Sequence, residues 1–130
     1  MNIAIFVDVY FPHINGVVTH VAMLRESLIK RGHNVLIVTA DPRLRHHIMR
    51  DGILSCPAIR LKKIYGFGLA SPVSFRRMTA LKEFKPDIIH VHDEFPVAMF
   101  GVSAARKLDV PLVYTLHTMY DEYFHYAVSK

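Results

Sequence analysis

Within its first forty residues this chain runs from an apolar segment through a helical stripe to a second apolar segment, and that order limits its fold more than any other feature. Ile3 to Val9 (IAIFVDV) is apolar apart from Asp8, as expected of a strand covered on both faces. From Val17 to Lys30 the residues Val17, Val21, Leu24 and Leu28 recur at helical spacing, and Gly32 follows where a helix end favours glycine. Asn34 to Thr39 (NVLIVT) is a second strand of the buried type. A strand, helix and strand in so short a span imply parallel pairing through a right-handed crossover.

The alternation continues. Asp41 to Pro57 is polar and reads as irregular, Ala58 to Leu61 as a short third strand, and Gly66 and Gly68 as loop markers. Val73 to Lys85 reads as a helix stopped by Pro86, Asp87 to His92 (DIIHVH) as a strand, and Val97 to Leu108 as a helix. Val110 to Leu116 is a further strand, and Tyr120 to Val128 opens another helix. The expected fold is α/β: a doubly wound, mostly parallel, Rossmann-like sheet. The 130 residues fit one domain, and a hydrophobic share of 52% supplies a full core.

Several function classes fall away. No apolar run approaches the roughly 18 residues that span a bilayer, and the N-terminus lacks a basic segment and cleavage site of the secretory kind. Cys56 is the single cysteine, so no intrachain disulfide forms, and neither CxxC nor HExxH occurs to hold a metal. The net charge of +5 favours an anionic partner: phosphate groups, nucleic acid or an acidic membrane face. Nucleic-acid binding would rest on charge alone, without an aromatic–basic platform. A response-regulator pocket needs clustered carboxylates, whereas the first strand carries Asp8 only; a dinucleotide site needs GxGxxG, which is absent.

Ligands of parallel sheets lie beyond the carboxyl ends of the strands. Three polar clusters stand there and share one rim by topology: Pro12–Asn15–Gly16, His92–Asp93–Glu94, and His117–Thr118. Asn15 and Gly16 precede a helix whose free N–H groups suit a phosphate or diphosphate. The same pair reads as a turn with Asn15 as helix cap, which on local pattern is the heavier reading, since a lone glycine says far less than GxGxxG. His20 either faces the cleft or packs, with nothing local to choose between them. Asp93 and Glu94 can orient a sugar hydroxyl or tune a proton acceptor, or form a solvated loop in which Asp93 caps. His90, which shares a strand face with His92, reads as a hydrogen-bonded core residue. His117 can serve as acid, base or electrostatic donor. Arg43 to Arg50 and Phe75 to Lys82 mix basic and apolar residues. On a helix, Phe75, Met78, Ala80 and Leu81 fall near one side with Arg76, Arg77, Lys82 and Lys85 flanking. That pattern suits an anionic interface, an ordinary surface helix, or both.

Taken together, NGVVTHV, DIIHVHDEF and VYTLHTMYDEYFHY resemble the N-terminal domain of retaining glycosyltransferases of family 4, which have the GT-B fold. The likeness covers all 130 residues, and HTMYDEYFHY is most similar to bacterial enzymes that glucosylate diacylglycerol. It implies two Rossmann-like domains about a cleft, this one on the acceptor side and the nucleotide-sugar domain lying beyond Lys130, so that the chain alone is inactive. Asn15, Gly16 and Val17 would meet the donor diphosphate, although Asn15 stands where the family commonly has a first glycine. His117 would line the transferred sugar as the catalytic residue, acting by position and electrostatics. His20, Asp93, Glu94 and Thr118 would face the acceptor, and Arg76, Arg77 and Lys82 the membrane. No metal or other cofactor is implied. The donor would be a nucleotide sugar, UDP-glucose, the acceptor a lipid or sugar, and the location cytoplasmic, peripheral on the inner face of the cell membrane. The competing reading is a stand-alone phosphate- or nucleotide-binding α/β module without catalysis.

Overall fold

The structure, a computed structural model, describes residues 1–11, 15–60, 68–69, 74–93 and 95–117. The expected helix at Tyr120 to Val128 and the loop marker Gly66 lie outside these residues. The elements run β1 (Asn2–Phe6), α1 (Gly16–Lys30), β2 (Asn34–Asp41), β3 (Ile48–Arg50), β4 (Ile53–Pro57), β5 (Ile59–Arg60), β6 (Gly68–Leu69), α2 (Phe75–Phe84), β7 (Ile88–His92), α3 (Pro96–Leu108) and β8 (Leu112–Thr115). Six strands form one sheet in the order β3-β4-β2-β1-β7-β8. All neighbours pair in parallel except the edge strand β3, which is antiparallel to β4. The chain winds outward from β1 to β2 on one side and to β7 on the other. The topological switch therefore lies between β1 and β7, where such sheets bind ligands.

The two faces bury separate sets of side chains. Ile3, Ile5, Val7, Val35 and Ile37 pack with Val18 and Val21 of α1. Ala4, Phe6, Leu36, Val38, Leu54 and Cys56 face Leu81 of α2 and Val97, Phe100 and Ala104 of α3. This two-sided burial explains why β1 and β2 read as unbroken apolar runs. Helix α3 lies so close to the sheet that a Cβ on Gly101 would sit 2.8 Å from Phe6 Cγ and 2.9 Å from Val91 Cγ2. Gly101→Ala is thus expected to destabilise the fold by about 1–3 kcal/mol through overpacking. A thermal melt checks it, and an unchanged midpoint would show that the helix can back away freely.

Two expectations change here. Asp41 to Pro57 is not irregular throughout, because it contains the hairpin β3–β4, and β4 supplies Leu54 and Cys56 to the core. Its turn is Asp51-Gly52, with φ of 53° and 75°. Asp-Gly is a strong hairpin signal, and both residues adopt the left-handed conformations that such a turn needs. The strand expected at Ala58 to Leu61 exists as β5, but it pairs with β6 in a separate two-stranded sheet.

In helix α2 Met78, Ala80 and Leu81 pack on the core as expected, but Phe75 and Arg77 are exchanged. Phe75 is 92% exposed, and Arg77 is buried at 2%, with its guanidinium carbon 4.7 Å from the Phe100 ring centroid. The core stripe is Arg77, Leu81 and Phe84, at helical spacing, and residues two apart on a helix point to nearly opposite sides. Arg77 therefore cannot contact a membrane surface. Arg76 and Lys82 are exposed.

Candidate active site

The site starts at the carboxyl ends of β1 and β7. Asp8, just beyond β1, is 5% exposed. Its Oδ1 accepts from the Val97 N–H at 2.8 Å and its Oδ2 from the Ala98 N–H at 3.2 Å. Asp8 is thus the N-terminal cap of α3, a helix whose own N-cap residue, Phe95, offers no side-chain acceptor. Burial pushes the Asp8 carboxyl up to about 6 despite the two N–H groups that favour its charge.

Four histidines gather at the ends of β7 and β8, on the side of the sheet that α1 covers. His90 and His92 share one face of β7, with ring centroids 4.2 Å apart. The pairing of His92 with Thr115 brings β8 alongside, and His117 follows two residues later. His90 Nε2 and Thr115 Oγ1 are 2.7 Å apart, and His92 Nδ1 lies 2.5 Å from His117 Nε2. From α1, the His20 ring sits 4.9 Å from that of His117 and 6.1 Å from that of His92. His92 is wholly buried, and His117 is half-buried.

Asp93 holds this arrangement. Its φ of 63° is a left-handed turn that turns the chain off β7, and aspartate is among the non-glycine residues that tolerate it. The Asp93 N–H donates to the Thr115 carbonyl, and Asp93 Oδ1 accepts from the His117 N–H, both at 3.0 Å. At 7% exposure Asp93 is neither solvated nor the cap of α3, which is Asp8. Asn15 is the cap of α1, its Oδ1 accepting from the Val18 N–H at 2.9 Å. The N–H groups of Gly16 and Val17 lie in the first turn, where a helix supplies no partner of its own. Gly16 is exposed, Val17 is half-buried, and Gly16 stands about one turn before His20, so the opening of α1 and His117 share one edge of the sheet. Glu94 and Thr118 lie outside the described residues. His92, which the sequence reading placed in a rim cluster without a role of its own, and Asp8 are the two site residues it did not assign. The strand alternation of His90 and His92 was the available signal for the first, and a lone acid in an apolar strand the signal for the second.

Three of the imidazoles, those of His90, His92 and His117, are biased towards the neutral form. Burial, with the neighbouring rings adding to it, pushes His92 down to about 3, and burial likewise lowers His90 and His117. The neighbouring nitrogens of His92 and His117 face each other across 2.5 Å, a gap that takes a proton but not a metal ion with its roughly 2 Å bonds to each nitrogen. Unfolded histidines take up protons below pH 6.5, where folded His92 does not, so these groups make stability fall as pH falls. His92, the ring held furthest down, contributes most to that fall. Asp8 opposes this, since its raised carboxyl binds a proton more readily in the folded state between 6 and 3.8. With three imidazoles against one carboxyl, melting temperature is expected to fall steadily from pH 6.5 to 4.5. A flat profile would contradict the neutral cluster.

Comparison with known proteins identifies the family. The family model described as Glycosyltransferase Family 4 matches residues 14–130. The alpha-monoglucosyldiacylglycerol synthase of Acholeplasma laidlawii is 39% identical over 132 residues, covering 100% of this chain and 33% of that protein. The synthase of the same name from Streptococcus pneumoniae is 32% identical over 129 residues, covering 99% of this chain and 29% of its own length. A GDP-mannose-dependent alpha-mannosyltransferase of Mycobacterium tuberculosis is 30% identical over 123 residues, covering 91% and 32%. The chain spans about a third of the length of these relatives. With a parallel sheet, a histidine-lined rim at its switch point and a family match running from the first helix to the last residue, the chain belongs to glycosyltransferase family 4.

Proposed function

We propose that this chain is the acceptor-side half of a GT-B glycosyltransferase that moves a hexose, with retention, from a nucleotide sugar to a lipid. Glucose from UDP-glucose and a diacylglycerol acceptor are the substrates we assign. The observation that carries the reading is the gathering of His20, His92, His117 and Asp93 beside the start of α1, in a chain 39% identical along its whole length to a glucosyldiacylglycerol synthase.

The chemistry follows from the donors on this rim. Breaking a sugar–diphosphate bond builds negative charge on the leaving group. The Gly16 and Val17 N–H groups and the positive end of α1 meet that charge with oriented dipoles, without a metal ion. His117, neutral and held through its backbone by Asp93, offers its Nδ1 to a hydroxyl of the transferred sugar. His20 stands against it on the acceptor side. Beside Asp93 a groove of about 600 Å³ follows α3 and β8, lined by Ala98, Met99, Val102 and Tyr114, with Arg106 and Lys107 further along. Its apolar walls suit an acyl chain.

No helix of the described residues is long and apolar enough to cross a membrane. Surface docking on the inner face of the cell membrane is therefore assigned to α2, where Phe75 stands out from the helix beside the exposed cations Arg76 and Lys82. At about 1 kcal/mol per cation near an anionic surface, Arg76→Gln combined with Lys82→Gln is expected to weaken vesicle binding roughly 30-fold. Added salt should weaken the wild type in the same direction.

The full reading is tested by supplying full-length protein with labelled UDP-glucose and vesicles of diacylglycerol with anionic lipid. The expected product is an α-glucosyl diacylglycerol. Transfer from GDP-mannose alone would overturn the donor, and transfer only to soluble sugars would overturn the acceptor.

A further inference from the structure

His92 is wholly buried, and its Nδ1 lies 2.5 Å from Nε2 of His117 at the rim. The planes of His92 and His117 are 12° apart and their centroids 4.8 Å apart. A ring nitrogen lies a little over an ångström from its centroid. A centroid distance of 4.8 Å across a 2.5 Å bond therefore means that the rings meet edge to edge in nearly one plane, with each lone pair along the bond. This is a linear hydrogen bond, not a stacked pair.

Two neutral imidazoles can fill that bond in two ways, and each dictates the far nitrogens. In one, His117 Nε2–H donates to His92 Nδ1. His117 then presents a bare Nδ1, which acts as a base, and His92 carries its own proton on Nε2. In the other, His92 Nδ1–H donates to His117 Nε2, so that His117 carries a proton on Nδ1 and His92 has a bare Nε2. His92 Nε2 is buried and has no hydrogen-bond partner among the described residues. The first arrangement would bury an N–H donor without an acceptor, and orphaned buried donors are rarer in folded proteins than under-used acceptors.

We propose that His92 is a positioning residue: its Nδ1–H holds His117 in the tautomer protonated on Nδ1, so that the bound sugar meets a hydrogen-bond donor there and not a base. The proposal rests on the glycosyltransferase reading of this rim for the identity of the ligand, but not for the position of the proton. His90 lies tilted by 31° against the His92 ring and is tied to Thr115, which crowds His92 on that side. His20 and Asp93 flank His117, with Asp93 accepting from its backbone N–H.

The test is nitrogen NMR on full-length protein with 15N-labelled histidine, at neutral pH and without substrate, paired with steady-state kinetics. His117 Nδ1 is expected to resonate as a protonated ring nitrogen and Nε2 as a bare one, with a coupling across the bond to His92. In His92→Asn the amide can still donate from near the Nδ1 position, and the tautomer and most of kcat should persist. In His92→Leu the tautomer bias should vanish and kcat fall about 100-fold, with the KM for donor little changed. A wild-type spectrum with the proton on His117 Nε2 would overturn the proposal at once, even if His92→Leu fails to fold. The spectrum reads the proton whether or not transfer is observed, so failure of the functional reading and failure of this one are separate results.

Discussion

Gly16→Val in the full-length protein should lower turnover by about 10²–10³-fold while leaving the melting temperature close to that of the wild type. The two halves of that result come from different facts. No described atom lies within 4 Å of where a Cβ on Gly16 would sit, and its φ is not in the left-handed region. The fold therefore has no use for a glycine here, and a side chain would even narrow the unfolded ensemble. What the missing Cβ leaves is open space at the start of α1, which the proposed function gives to the donor diphosphate. Gly101 is the internal contrast, because there packing demands the glycine and a methyl should cost stability. Unchanged turnover in Gly16→Val would show that the loop before α1 is only a connector.

The second large effect is expected at His117. His117→Ala should cut kcat by about 10³-fold and leave the wild-type backbone in place, since that position is held by the His117 N–H on Asp93 Oδ1 and not by the ring. Removing the ring also strands His92 Nδ1 in the interior, at a cost of about 1–3 kcal/mol visible in a melt. The pH profile separates roles. Burial lowers His117, so its ring is neutral across the neutral range, and kcat should be flat from about pH 6.5 to 8. A rate that climbs through that range would mean an imidazole is losing a proton to become active, and would assign His117 as a base.

Much of the architecture was legible because burial leaves a local trace. IAIFV and VLIV are apolar at every position, and DIIHV at three of five, since α1 covers one face of the sheet and α2 and α3 the other. The errors fell where local pattern and three-dimensional phase part. Phe75 and Arg77 were assigned to the wrong sides of α2 because an aromatic ring normally outweighs a guanidinium in choosing the core. Here Arg77 is buried by lying over Phe100, a contact between helices that no pattern within α2 announces. The hairpin at β3–β4 was overlooked although Asp51-Gly52 marks it, since the strands are short and β3 is exposed at every position.

The rim follows from chain order alone. Parallel strands joined by right-handed crossovers must bring the carboxyl ends of β1, β7 and β8 to one edge, so Asn15, Gly16, Asp93 and His117 were placed there by topology. Which side chain bonds which was a different question. Asp8 reaches α3 across 89 residues of sequence and His92 reaches His117 across 25. Periodicity records only whether a residue faces a core, and a hydrogen bond between distant strands depends on register to within a fraction of an ångström. The fold and its binding edge were therefore written in the chain as pattern, while the cap of α3 and the paired imidazoles came into being only when the strands lay side by side.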